Sequence, residues 1–131
     1  MSDPKQARHL LQVAEEDLGA LQAQKDSTVF VDRVFGFTVQ QAAEKILKAC
    51  ICLSGSTYPH PHDLSILFDA LGEGEADLME SHAGLVQYTA FAGALRYQPA
   101  DPKMKPLDRE NAIALVEALL ERARQRLAEK L

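Results

Sequence analysis

Apolar side chains recur every three or four positions over most of the chain, which is the spacing of one buried face of an α-helix. The first such pattern follows Asp3 and Pro4, which can cap and begin a helix, and it ends at about Gln24. Its apolar positions are Leu10, Leu11, Ala14, Leu18 and Leu21.

The next pattern predicts a second helix from about Val29 to Leu53. Asp26 and Ser27 mark a turn before it, and Gly55 can adopt the left-handed conformation that ends a helix. The connection that follows contains two prolines, which favour an extended backbone.

Two further helices are predicted before the C-terminal part of the chain. The third runs from about His62 to Leu71 and the fourth from about Glu75 to Tyr97. Segment 98–106 cannot continue the fourth helix, because it has three prolines in nine positions.

Asp108 then caps a last helix. Its apolar positions are Ile113, Leu115, Val116, Leu119, Leu120, Ala123 and Leu127. No segment shows the two-residue alternation of a half-buried strand. Together these patterns predict an all-α fold, an up-and-down bundle of four long helices with an additional short helix, and so five helices in a single domain spanning residues 1–131.

The composition is that of a globular protein, with 47% apolar and 25% charged residues. No apolar run approaches the roughly 18 residues that span a bilayer, and the N-terminus has no hydrophobic signal-peptide core. Cys50 and Cys52 would point about 200° apart on a helix and cannot bridge each other. We therefore expect no membrane association and a reduced, cytoplasmic location.

The net charge of −5 is unevenly distributed. Segment 61–95 contains several acidic residues but no Lys or Arg, whereas Arg96, Lys103 and Lys105 follow it. Nonspecific binding to a long duplex needs a broad cationic surface and is not expected. The short cationic stretch is compatible with one small anion bound locally.

The second helix carries a polar stripe that invites two interpretations. At 100° per residue, its members fall within about 140° of the helix circumference. They are Arg33, Gln40, Gln41, Glu44, Lys45 and Lys48. A solvated face would account for the stripe. Alternatively it forms the wall of a groove, in which the two lysines contact phosphate and the Gln amides contact a base or ribose.

Few other chemistries fit the sequence. His60 and His62 flank a proline, but no third ligand lies at metal-binding spacing, so no metal site is expected. His62 and Asp63 suit the start of the third helix, where either could satisfy free amides, or His62 could pack against the second helix. The chain has no Glu-x-x-His pair, glycine-rich phosphate loop or nucleophile elbow, and we expect no cofactor.

Four short motifs resemble those of the HEPN domain, the nucleotide-binding domain of higher eukaryotes and prokaryotes. They are the helix at 40–49, the turn at 55–61, the step at 62–64 and the pair at 96–97. The resemblance covers nearly the full chain and implies a five-helix bundle that dimerises. In single-domain prokaryotic members it also implies a minimal nucleotidyltransferase as partner, in a toxin–antitoxin-like pair.

Many HEPN proteins are metal-independent ribonucleases that use an Arg followed, after four to six residues, by a His. The chain departs from this pattern, because Asp101, Pro102 and Lys103 stand where the His would follow Arg96. The usual proton-transfer partner is therefore missing, and we predict no catalytic residue.

These observations favour a non-catalytic, homodimeric module that binds an ATP-like nucleotide or a protein partner, with RNA as a less favoured ligand. The hypothesis requires the cations of the second helix and of the segment after the fourth helix to meet in one cleft. The predicted nucleotide-binding residues are Gln41, Glu44, Lys45, Lys48, His62, Asp63, Arg96 and Tyr97. The alternatives are a ribonuclease that combines Arg96 with His60 or His62, and a structural adaptor whose Ala/Gly-rich fourth helix forms the dimer seam.

Overall fold

The computed structural model describes residues 3–57, 62–71, 78 and 81–130. Over these residues the chain forms helices and no strands, which confirms the predicted all-α fold. The elements in chain order are α1 (Pro4–Gln24), α2 (Asp32–Leu53), α3 (Leu64–Ala70), two 3₁₀ helices (Ala83–Phe91 and Ala94–Tyr97) and α4 (Arg109–Glu129). The two 3₁₀ helices together are called the 3₁₀ segment below.

Helix α2 lies at the centre of the bundle. It packs against α1, α3, the 3₁₀ segment and α4. Its sequence explains this position, because apolar or small residues such as Phe35, Ile46 and Leu53 occupy nearly every side and are fully buried. The polar stripe is the main interruption, so its polar groups have to be satisfied inside or beside the core.

Of the α-helices whose bounds lie within the described residues, α1, α3 and α4 begin at an aspartate cap, as predicted for Asp3 and Asp108. The Asp3 side chain accepts a hydrogen bond from the Gln6 amide at 3.1 Å, and that of Asp108 accepts one from the Asn111 amide at 3.0 Å. Asp63 caps α3 in the same way. Gly55, with φ of 87°, provides the left-handed stop after α2.

The predicted start of α2 was three residues too early. The Ser27 hydroxyl accepts hydrogen bonds from the amides of Val29 and Phe30, at 3.1 and 3.3 Å, and holds these residues in a loop. Val29 is exposed despite its apolar side chain. The helix begins only at Asp32, because this tertiary arrangement overrides the apolar pattern.

Arg109, the first residue of α4, fixes that loop. Its guanidinium donates to the carbonyl oxygens of Gln24 at 2.6 Å, Ser27 at 3.2 Å and Phe30 at 2.6 Å. It also donates to Asp32 Oδ1 at 3.0 Å, while Asp32 Oδ2 accepts the backbone amide that precedes α4. We call these contacts the Arg109 clamp; they tie the end of α1 and the start of α2 to α4.

The predicted fourth α-helix is observed as two 3₁₀ helices from Ala83 to Tyr97, whereas Leu78 and Ser81, which precede them, are α-helical. Leu85, Tyr88 and Phe91 are buried and lie three residues apart, which matches the three residues per turn of a 3₁₀ helix. Gly36 of α2 permits close contact, because a Cβ added there would lie 2.6 Å from Phe91 ring carbons. The expected start near Glu75 lies outside the described residues.

The cysteines, the apolar character of the helices and the proline connection were also subjects of prediction. Cys50 and Cys52 are buried and unbridged, as predicted. Among the helices of the described ranges, none combines the length and apolar character needed to cross a membrane. The predicted proline connection at 58–61, including His60, lies outside the described residues.

Candidate functional site

A buried carboxylate organises part of the polar stripe. Glu44 Oε1 accepts hydrogen bonds from Gln40 Nε2 at 2.9 Å and from His62 Nδ1 at 2.6 Å. Glu44 Oε2 accepts one from Lys48 Nζ at 3.1 Å. Residues four apart lie one above the other on a helix, so α2 itself aligns three of these groups. Together with Gln41 they form what we call the Glu44 cluster.

The two glutamines of the cluster have different roles. Gln40 is fully buried and uses its amide completely, because Nε2 also donates to the His62 carbonyl at 2.8 Å and Oε1 accepts from Gln41 Nε2 at 2.7 Å. Gln40 therefore anchors the chain entering α3 to α2. The sequence placed Gln40 in the stripe but not among the site residues; its position four residues before Glu44 was the available signal.

Glu44 is ionised at neutral pH. Burial raises the pKa of Glu44, but hydrogen bonds from Gln40, His62 and Lys48, with the charge of Lys48, outweigh it and hold the pKa below the ordinary 4.5. An ionised carboxylate only accepts hydrogen bonds, so the His62 Nδ1 atom carries the hydrogen. The second ring nitrogen, Nε2, belongs to a side chain that is 63% exposed.

Asp63 is occupied by its capping role. Its Oδ1 accepts hydrogen bonds from the Ser65 amide at 2.9 Å and the Ser65 hydroxyl at 2.7 Å. The adjacent Leu64 amide donates to Thr89 Oγ1 at 3.0 Å, which joins α3 to the 3₁₀ segment. Asp63 thus helps to position His62 through the backbone.

Lys45 lies away from the cluster. Its Nζ is 2.6 Å from Asp17 Oδ2 of α1, and it sits about 60° around α2 from Lys48. The pair is partly exposed and bridges two adjacent helices. The structure therefore does not bring Lys45 to Glu44 or His62.

Arg96 and Tyr97 form a second group at the end of the 3₁₀ segment. The Arg96 guanidinium carbon lies 4.8 Å from the centre of the Phe37 ring and 5.7 Å from that of Tyr97. Arg33 Nη1 donates to the Arg96 carbonyl at 3.4 Å. The Tyr97 residue is 82% exposed, so its ring is accessible. No sequence pattern indicates the role of Phe37, because that role depends on a contact between distant elements.

The two groups occupy different levels of the same face of α2. Phe37, beneath Arg96, precedes Glu44 by seven residues, or about 10 Å along the helix, and Lys48 by about 16 Å. The structure thus gathers Gln41, Glu44, Lys48 and His62 in one place, and Arg96 with Tyr97 in another.

The described residues show no metal centre and no activated thiol. They contain no group of three or more His, Cys, Asp or Glu side chains placed to hold a metal ion. Burial raises the pKa of Cys50 to about 11 and also raises the pKa of Cys52. Neither thiol is therefore a nucleophile at neutral pH.

The comparisons with known proteins identify the family. Neither a curated protein nor a solved structure matches the chain. The family model described as HEPN domain matches residues 7–127, which include α2, α3, the 3₁₀ segment and most of α1 and α4. This match covers far more than half of the 131 residues. The chain belongs to the HEPN domain family.

Proposed function

We propose that this HEPN protein is a non-catalytic module that binds a nucleotide on the face of α2 shared by Arg96 and the Glu44 cluster. The observation that carries the proposal is the state of Arg96. Its guanidinium carbon lies over the Phe37 ring at 4.8 Å and the Tyr97 ring at 5.7 Å, and within the described residues its N–H groups donate no hydrogen bond. The edge of the guanidinium carries the N–H donors that bind a phosphate in a bidentate manner.

The neighbouring groups fit the other parts of a nucleotide. The exposed Tyr97 ring offers a surface on which a base can stack. About 10 Å along α2, the exposed edge of His62 and the half-buried Gln41 and Lys48 offer contacts to a further phosphate or ribose. A ligand with several phosphates, such as ATP, reaches both groups. Lys45 contacts a ligand only if that ligand displaces Asp17 from the Lys45 ammonium group.

Calorimetric titration with ATP, AMP and inorganic phosphate tests the proposal. We expect ATP to bind more tightly than AMP, and Arg96→Gln to weaken ATP binding about tenfold, because it removes one charge-assisted contact. Tyr97→Ser should weaken ATP but leave inorganic phosphate unaffected, because only ATP has a base to stack. Lys25→Gln is the matched control, since it removes one exposed cation from the end of α1. Absence of heat at millimolar ATP would refute the proposal.

We further propose that the module works as a homodimer with a minimal nucleotidyltransferase, in a toxin–antitoxin-like pair. Family membership supports this proposal, because HEPN proteins often dimerise. Light scattering after size exclusion should give twice the 14.4 kDa chain mass at tens of micromolar. Co-expression with a nucleotidyltransferase encoded beside this chain should yield a stable complex. A monomeric protein that does not bind that enzyme would contradict the proposal.

A second candidate function is RNA cleavage with His62 as the proton acceptor. The observation that favours it is the Glu44–His62 hydrogen bond, which orients the imidazole through Nδ1 and leaves Nε2 for a proton transfer. Nε2 would take the proton of a ribose 2′-hydroxyl, whose oxygen attacks the adjacent phosphorus. The 5′-oxygen leaves with a proton from water, and a 2′,3′-cyclic phosphate forms.

Incubation with total RNA separates the two functions. Cleavage that is lost in both His62→Gln and Arg96→Ala, with cyclic phosphate ends in the wild-type products, would establish the ribonuclease. Intact RNA together with ATP binding would leave the non-catalytic function.

A further inference from the structure

A cavity of about 320 Å³ lies between the start of α2, the 3₁₀ segment and the loop that precedes α4. Its wall is mostly apolar and includes Phe91, Leu95, Leu107 and the three prolines of segment 98–106. Ligand sites in proteins range from about 300 to 1,000 Å³, so the cavity has the size of a small-molecule site at the lower end of that range.

The charged groups of the cavity leave an excess of positive charge. Asp32 lines it, but its carboxylate is bound to Arg109 at 3.0 Å and to the Leu107 amide at 3.0 Å. Asp101 Oδ1 accepts the Lys103 amide at 2.9 Å and remains one exposed negative charge. Arg33 and Lys105 line the cavity and supply two cations; Arg33 Nη1 donates to the Arg96 carbonyl at 3.4 Å, and neither side chain forms an ion pair within the described ranges.

We propose that this cavity binds a small organic acid with a flat apolar body of one or two fused rings. The rings occupy the space between Phe91, Leu95 and the prolines, where they replace water against an apolar wall. The acid group contacts the Arg33 guanidinium, whose planar donors match a carboxylate, and the Lys105 ammonium adds a second charge.

This ligand differs from the proposed nucleotide, and the two sites use different side chains, although Arg33 Nη1 also donates to the Arg96 carbonyl at 3.4 Å. Arg33, the cation that α2 contributes to the cavity, lies four residues and about 6 Å before Phe37 along the helix, whereas the nucleotide face extends from Phe37 to Lys48.

Titration with 2-naphthoate, followed by calorimetry or ligand-observed NMR, tests the proposal on the full chain. We expect a dissociation constant of about 1 mM or below for this small ligand. The neutral isostere naphthalene-2-carboxamide should bind about tenfold more weakly, because it lacks the charge. Arg33→Gln should weaken naphthoate about tenfold and leave the amide unaffected.

A matched pair of loop variants separates contact from long-range charge. Lys105→Gln and Lys103→Gln change the net charge equally, but only Lys105 lines the cavity. Lys105→Gln should weaken naphthoate about threefold and Lys103→Gln should have no effect. Equal binding of acid and amide, equal effects of the two loop variants, displacement of naphthoate by ATP, or no binding at 5 mM would each overturn the proposal. Circular dichroism of each variant confirms that the fold is retained.

Discussion

At the scale of single residues, Glu44 shows how one buried charge can position several others. It is 7% exposed and makes hydrogen bonds to Gln40, Lys48 and His62. A buried charge is tolerated only when hydrogen bonds and opposite charges compensate its lost hydration, and Glu44 has both. The Glu44 carboxylate therefore holds the His62 ring beside α2, in addition to the Gln40 contact that holds the His62 backbone.

We predict that Glu44→Gln lowers the free energy of unfolding by about 2 kcal/mol at pH 7, because Gln cannot attract Lys48 and presents an amide to other donors. The pKa of Glu44 is lower in the folded than in the unfolded chain, so ionisation adds stability above pH 4.5. That contribution is lost as the pH falls through the folded value. Urea unfolding should show the difference between wild type and variant shrinking below pH 4.5.

The exposed Glu16 of α1 provides the control for this experiment. Glu16→Gln should change the free energy of unfolding by less than about 0.5 kcal/mol at any pH. A Glu44→Gln variant that matched this behaviour would show that the buried network contributes nothing to stability.

Replacement of glycine by alanine should have opposite effects on stability at two helical positions. Gly19 has open space around it in α1, so Gly19→Ala should stabilise the protein by about 0.5–1 kcal/mol through helix propensity. Gly36 faces the Phe91 ring, so Gly36→Ala should destabilise the protein by about 1–3 kcal/mol, despite the same gain in helix propensity. Thermal unfolding of both variants measures the signs. A stabilised Gly36→Ala protein would show that the 3₁₀ segment moves away from α2 easily.

At the scale of elements, the sequence predicts correctly the features that depend on residues close together in the chain. It does not predict the features that depend on contacts between distant segments. The caps at Asp3, Asp63 and Asp108 involve residues two or three positions away, so a local pattern identifies them. The Gln40–Glu44–Lys48 alignment is equally local. The link from Glu44 to His62 and the pairing of Lys45 with α1 join distant segments, which no spacing in the sequence reveals.

The two errors in the helices have the same origin. The late start of α2 depends on Ser27 and on carbonyl contacts from Arg109, about 80 residues away in sequence. The three-residue spacing of Leu85, Tyr88 and Phe91 was visible, but an Ala-rich segment also suits an α-helix. The close packing of Phe91 against Gly36 of α2 decides between a 3₁₀ helix and an α-helix here, and this contact is visible only in the structure.

We predict that Arg109→Lys lowers the free energy of unfolding by about 2–3 kcal/mol, because an ammonium cannot reach three carbonyls and Asp32 at once. Arg124→Lys, on the same helix, changes an exposed ion pair with Glu15 and should alter the free energy of unfolding by less than about 0.5 kcal/mol. Denaturant titration of both variants compares them. Equal effects would mean that the Arg109 clamp is not a specific contributor to stability.

At the scale of the whole molecule, the bundle presents one face of α2 between two short elements. The 3₁₀ segment brings Arg96 to the first half of α2, and α3 brings His62 to the second half. The core formed by α1, α2 and α4 holds that face in place. A ligand that contacts both short elements would therefore join parts of the chain that otherwise meet only through α2.

This arrangement predicts that ATP stabilises the folded protein as a whole. At a concentration ten times the dissociation constant, binding to the folded state alone adds about 1.4 kcal/mol, which for a chain of 131 residues raises the Tm by roughly 4–8 °C. Differential scanning fluorimetry measures the shift. Arg96→Gln should abolish most of it at the same ATP concentration, while Lys25→Gln should retain it. An equal shift in wild type and Arg96→Gln would place the nucleotide away from Arg96 and contradict the proposed site.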